Sequence, residues 1–180
     1  MKFKKILIGA VIVLIIIFTV DLWIEKVIFP YKHKEVIEKY SMEYDLDPYF
    51  VLAVIKAESK FKTDARSQKN AVGLMQITED TAEWIAEEMG LTNFSPEKLY
   101  LEEYNIKMGC WYLDNLRDEF NNMDLVIAAY NAGRGNVNEW LKNIDYSSDG
   151  KTLNYIPFPE TRAYVDKVNS YYNIYKFLYE

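Results

Sequence analysis

Cysteine and histidine are almost missing from this chain: 180 residues contain one of each. With a single Cys, no intrachain disulfide can form. With a single His, neither a His-based catalytic triad nor a His-ligated metal site has its parts. Chemistry must therefore come from carboxylates, hydroxyls and amides, and no metal and no cofactor is expected. Cys110, within Asn105–Trp111, reads as a small buried residue. His33 reads as a solvent-exposed residue ahead of a polar helix. Positive charge is outnumbered, 21 Lys and Arg against 27 Asp and Glu. The formal net charge is -6, and no basic patch is interleaved with aromatics, so nucleic acid is excluded as a partner. Strand-type alternation, repeats and low-complexity segments are absent too, which leaves an all-α protein.

Aromatic side chains, by contrast, are abundant, with 15 Tyr and 4 Trp. They stack on sugar faces and they fill cores, so the count tilts only mildly towards a carbohydrate site. The other abundant feature is the apolar run from Ile6 to Val20, preceded by Lys2, Lys4 and Lys5. No small-residue cleavage pattern follows it in Phe18–Trp23, so it is expected to be an uncleaved membrane anchor rather than a removed signal. Leu22, Trp23 and Ile24 extend the run into the interface, where Trp is favoured, and the lysines are expected to stay inside the cell. Three segments follow: residues 1–25, a cytoplasmic tip and transmembrane signal-anchor; 26–33, a juxtamembrane connector interrupted by Pro30; and 34–180, a single domain in contact with the membrane only through the N-terminal helix.

Within that domain one helix stands apart. Asp47 is a good N-cap and Pro48 suits the first helical position. Phe50 to Ile55 is then apolar without a polar face, the pattern of a helix surrounded by other helices. Val51, Val54, Ile55 and Glu58 share one stripe. A carboxylate that ends such a row and faces inwards loses water, and its pKa rises towards the range of a general acid. The helix alone leaves open whether Glu58 faces inwards or solvent. Around it, Glu35–Tyr44, Thr78–Gly90, Glu102–Phe120, Asp124–Tyr130, Asn136–Leu141 and a last helix from Pro159 to Leu178 are predicted, with Asn131–Gly135 as a break.

Four short motifs occur in order: Glu58-Ser59; Gly73-Leu74-Met75-Gln76; Ala129-Tyr130-Asn131-Ala132-Gly133; and Glu160-Thr161-Arg162-Ala163-Tyr164-Val165. Singly each is weak, but together, from about Lys34 to Lys176, the chain resembles the catalytic domain of soluble-type lytic transglycosylases, which are similar to goose-type lysozyme. The resemblance implies a lysozyme-like helical fold and a membrane-anchored, extracytoplasmic enzyme acting on peptidoglycan glycan strands. Glu58 would be the catalytic residue, acid and then base, with the substrate's acetamido group assisting. Ser59, Gln76, Tyr130 and Asn131 would line the cleft, Met75 would lie against a sugar ring, and Tyr164 would sit near the acetamido group or the acid. The bond cleaved would be the MurNAc–GlcNAc β-1,4 linkage, closed to a 1,6-anhydro end.

The residues themselves leave alternatives. Met75 and Tyr164 also suit a core, Ser59 a helix cap and Asn131 a turn. Glu160 fits the N-terminus of the last helix better than a second catalytic role, while Asp64 and Glu79 remain open. A lysozyme-like hydrolase and a wall-binding module without turnover are the competing functions.

Overall fold

A computed structural model describes residues 2–180, with the side chains of residues 2, 3, 5–8, 10, 21 and 22 left out. The chain forms α1 (Lys2–Trp23), a π-helical turn (Ile24–Ile28), α2 (Lys34–Glu43), α3 (Pro48–Glu58), α4 (Glu79–Glu88), a 3-10 turn (Pro96–Tyr100), α5 (Glu102–Phe120), α6 (Met123–Ala132), α7 (Arg134–Lys142) and α8 (Pro159–Tyr179). Among the described residues the only β-type pairings are two isolated bridges, Arg66 with Val72 and Val72 with Ile77. The expected all-α class is what forms.

The central helix is α3. The Asp47 carboxylate accepts from the Tyr49 N–H at 2.8 Å, with Pro48 in the first turn, so the helix starts where a cap and a missing donor coincide. Every side chain from Phe50 to Ile55 is buried. Each such residue contributes on the order of 1.5–3 kcal/mol through removal from water. That burial on all sides requires neighbours on all sides, and α2 and α8 pack directly against α3. Of the inward stripe that helical spacing gives α5, Ile106, Gly109, Cys110, Leu113 and Leu116 are buried and Phe120, at the helix end, is half-buried. Cys110 lies within it, and burial pushes its thiol pKa up. The break after Tyr130 is shorter than expected. It is Gly133 alone, at φ 90°, and α7 resumes at Arg134.

His33 is not the exposed residue expected. Its backbone takes a left-handed conformation, φ 54°, at the start of α2. That turn aims the ring back at the body, where Nδ1 lies 2.6 Å from Glu102 and the ring stacks on Phe61. A single dihedral outside the usual region decides this, and helical periodicity carries no information about it.

The N-terminal helix α1 is 22 residues long, and Val11 to Val20 are exposed throughout. Among the described residues no helix is long and apolar enough to cross a membrane. The side chains of Ile6, Leu7 and Ile8, like those of Lys2 and Lys5 that set the expected orientation, lie outside the described residues. The following segment, residues 26–33, is packed onto the helical body. Phe29 is 8% exposed and meets Tyr171 and Tyr175 edge-on at 5.5 and 5.4 Å. Truncating Phe29 to Ala should lower stability by about 3 kcal/mol, as for other buried aromatics, in urea unfolding of the full chain followed by tryptophan fluorescence. A change within a few tenths would show that the packed segment contributes nothing to the fold.

Candidate active site

Glu58 is the last residue of α3, one turn beyond the buried row that ends at Ile55. Its carboxylate is largely enclosed, and one oxygen accepts a hydrogen bond from the Tyr164 hydroxyl at 2.5 Å. Tyr164 is 5% exposed and lies in the second turn of α8, so the α3–α8 packing that builds the core also sets this contact. Desolvation raises the Glu58 pKa to about 7, against the smaller opposing effects of the Tyr164 hydrogen bond and the nearby Lys167 ammonium. The net result is a carboxylic acid that keeps a large share of its proton at neutral pH. Burial and the adjacent Glu58 push the Tyr164 and Tyr130 phenols well above their ordinary value, so both remain donors.

A groove of about 370 Å³ opens over Glu58, bordered by Ser67, Gln68, Lys69, Ala71, Gln76, Thr78, Tyr130, Asn131 and Glu160. Gln76 sits at φ 49°, and its side-chain amide donates to Ala65 O and Gly73 O at 3.1 and 3.0 Å. Those bonds fix the side chain at the groove edge. The Tyr130 hydroxyl donates to Met75 O at 2.7 Å, which presents the ring to the groove and ties α6 to the Gly73–Ile77 loop. Asn131 accepts from the Thr161 hydroxyl at 2.8 Å, tying α6 to α8. A second cleft, about 350 Å³, lies on the other flank of α8 beside Tyr155 and Arg162. Size does not separate the two, but only the first contains an enclosed acid.

Of the expected site residues, Glu58, Gln76, Tyr130 and Asn131 border the groove, and Tyr164 reaches it through Glu58. Ser59 and Met75 do not border it. The Ser59 hydroxyl is buried and donates back to Ile55 O at 3.2 Å, closing the end of α3 as a cap. Met75 is 0% exposed and lies against Gly109 of α5, where an added Cβ would overlap its sulfur. Of the carboxylates left open, Asp64 and Glu79 are exposed away from the groove lining, while Glu160 stands on its rim.

Asn105 was missed. It is 1% exposed. Its side chain accepts from Met75 N at 2.7 Å and donates to Val72 O and Leu99 O, both at 2.9 Å. One amide thus suspends the loop that carries Gln76. Gly73, at φ 80°, fits there because a Cβ would overlap Asn105 and the Leu99 carbonyl. The available signal was a polar residue on the apolar stripe of α5, one turn before Gly109.

The profile of the Transglycosylase SLT domain matches residues 35–153. The chain belongs to the SLT transglycosylase family. This SLT domain is 33% identical over 152 residues to the soluble lytic murein transglycosylase of Escherichia coli, covering 83% of this chain and 24% of that protein. It is 30% identical over 175 residues to membrane-bound lytic murein transglycosylase F of Desulfosudis oleivorans, covering 81% of this chain and 36% of that protein. Among solved structures, an inactive mutant of the lytic transglycosylase Slt from Pseudomonas aeruginosa superposes with a TM-score of 0.73 at 35% identity, over 83% of this chain and 24% of that one. The 70 kDa soluble lytic transglycosylase of Escherichia coli gives 0.74 at 30%, over 83% and 25%. The fold is therefore the lysozyme-like SLT fold. The chain spans about a quarter of the length of the soluble relatives.

Two outcomes test the SLT site as built. Replacing Tyr164 by Phe removes a donor that favours the charged carboxylate, so the Glu58 pKa should move further up; carboxyl NMR titration reads it directly, and an unchanged or lower value would remove Tyr164 from the site. Replacing Asn105 by Ala leaves the buried Met75 N–H and Leu99 carbonyl without a partner, while Val72 O keeps only the Ile77 N–H. That should cost about 3 kcal/mol and loosen the Gln76 loop, seen as faster amide exchange at Val72–Ile77.

Proposed function

We propose that this SLT domain is a peptidoglycan lytic transglycosylase, which cleaves the MurNAc–GlcNAc β-1,4 bond and leaves 1,6-anhydroMurNAc ends. The carrying observation is Glu58: one enclosed acid, about half protonated at pH 7 and held by Tyr164, with no second enclosed carboxylate bordering the groove. Glycoside cleavage needs a proton on the leaving oxygen and stabilisation of the developing oxocarbenium centre. Glu58 supplies the proton. The 2-acetamido oxygen of the substrate attacks the anomeric carbon from the opposite face as the bond to the leaving oxygen breaks. Glu58, now ionised, takes the proton of the 6-hydroxyl as that oxygen attacks the anomeric carbon and displaces the acetamido oxygen. Protons balance, because Glu58 ends as it began. The 6-hydroxyl competes with water through its high effective concentration in the same sugar. Gln76, Tyr130 and Asn131 would position the sugars, with a Tyr ring offering an apolar face to one of them.

The membrane anchor belongs to the same reading. It is supported by the apolar run from Ile6 to Val20, by the uniform exposure of Val11 to Val20 on a 22-residue helix, and by relatives named as membrane-bound. At about 1.5 Å per residue the run from Ile6 to Val20 is about 22 Å long, and its extension through Leu22, Trp23 and Ile24 brings it to about 28 Å, close to the thickness of a bilayer core. The domain would then lie outside the cell, with peptidoglycan as its partner.

The product decides the function. Digestion of purified peptidoglycan should give muropeptides lighter by one water than hydrolase products and without reducing ends, by mass spectrometry. Mainly reducing ends would mean a hydrolase, with Glu160 on the rim as the first candidate to serve a water. Wall binding with no soluble product would mean a module without turnover.

Glu58→Gln should lower turnover by roughly a hundredfold to ten-thousandfold, the usual worth of a general acid, while leaving the domain folded. In the parent, kcat/KM should fall about tenfold per pH unit above about 7 as Glu58 ionises; a second fall on the acid side near 4 would reveal an ionised partner carboxylate. Stability moves the same way. The folded pKa lies above the unfolded one, so the contribution of Glu58 is present below about 4.5 and lost as pH rises through 7. The Gln variant should therefore be more stable than the parent above pH 7, by up to about 3 kcal/mol.

A further inference from the structure

The segment between α1 and α2 is bonded to the helical body along most of its length. The Lys56 ammonium donates to Ile28 O and sits 4.3 Å from the centre of the Phe29 ring. The Tyr179 hydroxyl lies within hydrogen-bond distance of both Glu25 O and Phe29 O, at 3.0 and 2.7 Å. The Tyr175 hydroxyl donates to Pro30 O at 3.3 Å. Tyr31 packs edge-on against Tyr179 at 5.4 Å and donates to Glu38 at 3.1 Å. The receiving side chains belong to α2, α3 and α8. Two of those, α3 and α8, also deliver Glu58 and Tyr164.

At the other end of the segment the backbone has no hinge. Trp23 keeps helical dihedrals, φ -72° and ψ -40°, into the π-helical turn. Phe29 N–H then closes that turn on Ile24 O at 2.8 Å. The chain leaves helical geometry only at Phe29, φ -122°, where it is already buried. The last point at which α1 could swing freely is therefore occupied by packing.

We propose that residues 24–33 act as a bracket rather than a tether, holding the Glu58 groove at one height and one orientation above the membrane, so that the enzyme is confined to glycan strands lying close to the membrane surface. The inference rests on the reading of the groove as the catalytic site and of α1 as an anchor. Its scale follows from geometry. Tyr164, at the acid, and Tyr175, at the bracket, are eleven residues apart on one helix, which is about 17 Å. Tyr179, which bonds Glu25 O two residues after α1, is fifteen residues from Tyr164, about 22 Å along the helix, and this sets the separation between the acid and the end of α1. A free segment of about ten residues would instead sample a spread of roughly 18 Å in every direction, with free rotation of the domain. The bracket removes that freedom, and with it access to more distant strands.

The test is an insertion of a twenty-residue Gly/Ser segment between Trp23 and Ile24 of the full chain, which leaves every bracket contact in place while releasing the domain from α1. Parent and insertion chains are placed in vesicles and given three substrates: free soluble glycan fragments, lipid-linked strands polymerised on the same vesicles, and suspended wall sheets. Anhydro ends are counted by mass spectrometry. Both chains should cleave free fragments equally, which also shows that the insertion folds. The parent should prefer vesicle-borne strands over suspended wall by at least about tenfold, through its fixed high effective concentration, and the insertion chain should lose most of that preference. An equal preference in both chains would overturn the bracket while leaving the enzyme reading intact. A parent inactive on free fragments, or one that does not sediment with the vesicles, would overturn the enzyme or the anchor reading respectively, and the bracket with it.

Discussion

The structure depends on the meeting of one carboxylic acid and one phenol across the packing of two helices. Glu58 and Tyr164 are 106 residues apart in sequence and 2.5 Å apart in space. Their contact is only as good as the α3–α8 register that brings them together. Val51 to Ile55 on α3, and Val165, Val168 and Tyr175 on α8, are buried almost completely. In close-packed interiors a shift of even one methylene is felt, so this register is stiff. A strong apolar interface is here the means of holding a weakly favourable polar arrangement: an acid kept partly protonated by lack of water, and aimed by one hydrogen bond.

The rest of the site is suspended rather than packed. The Gly73–Ile77 loop is held from below by Asn105 and from the side by the Tyr130 hydroxyl, both acting on the backbone of its neighbours at Val72, Leu99 and Met75. Met75 then plugs the loop into α5 against Gly109. A loop fixed at three points by buried hydrogen bonds and one methionine can present Gln76 at φ 49° without relaxing out of that conformation. Residues that look chemical in a motif, such as Met75, are in this way the anchors of those that border the groove.

This division explains which features were legible in the sequence. The long helices and the N-cap at Asp47 follow from local periodicity and capping, and α5 was placed at its observed ends. Glu58 stood out as a candidate because an apolar row ended in a carboxylate and three further motifs pointed to the same family, whereas its turn inwards was not legible. The directions of single side chains at helix ends were not legible. Ser59 follows Glu58 by about 100° around the helix, and only tertiary packing decides which of the two meets the groove. His33 turned on one left-handed dihedral. Asn105 was hidden because a buried amide on an apolar stripe differs from an exposed one only in what it bonds, and its partners are up to 33 residues away. The packing of Phe29 was hidden for the same reason: its neighbours Tyr171 and Tyr175 lie at the other end of the chain.

The tyrosine content, which spoke only weakly for sugars at the level of composition, takes on a more definite meaning in the fold. Tyr31, Tyr171, Tyr175 and Tyr179 gather around Phe29 and the segment after α1, whereas Tyr130 and Tyr164 surround Glu58. Each hydroxyl of the first group that bonds the segment reaches a backbone carbonyl, at Glu25, Phe29 or Pro30. Tyrosine suits both places for one reason. It covers apolar surface and still offers a donor at its tip, so it can bond a backbone carbonyl of the segment after α1 and donate a hydrogen bond to the acid at the groove. α8 carries Tyr164 of one group and Tyr171, Tyr175 and Tyr179 of the other on one continuous helix, which makes the position of the acid and the position of the segment after α1 a single mechanical variable.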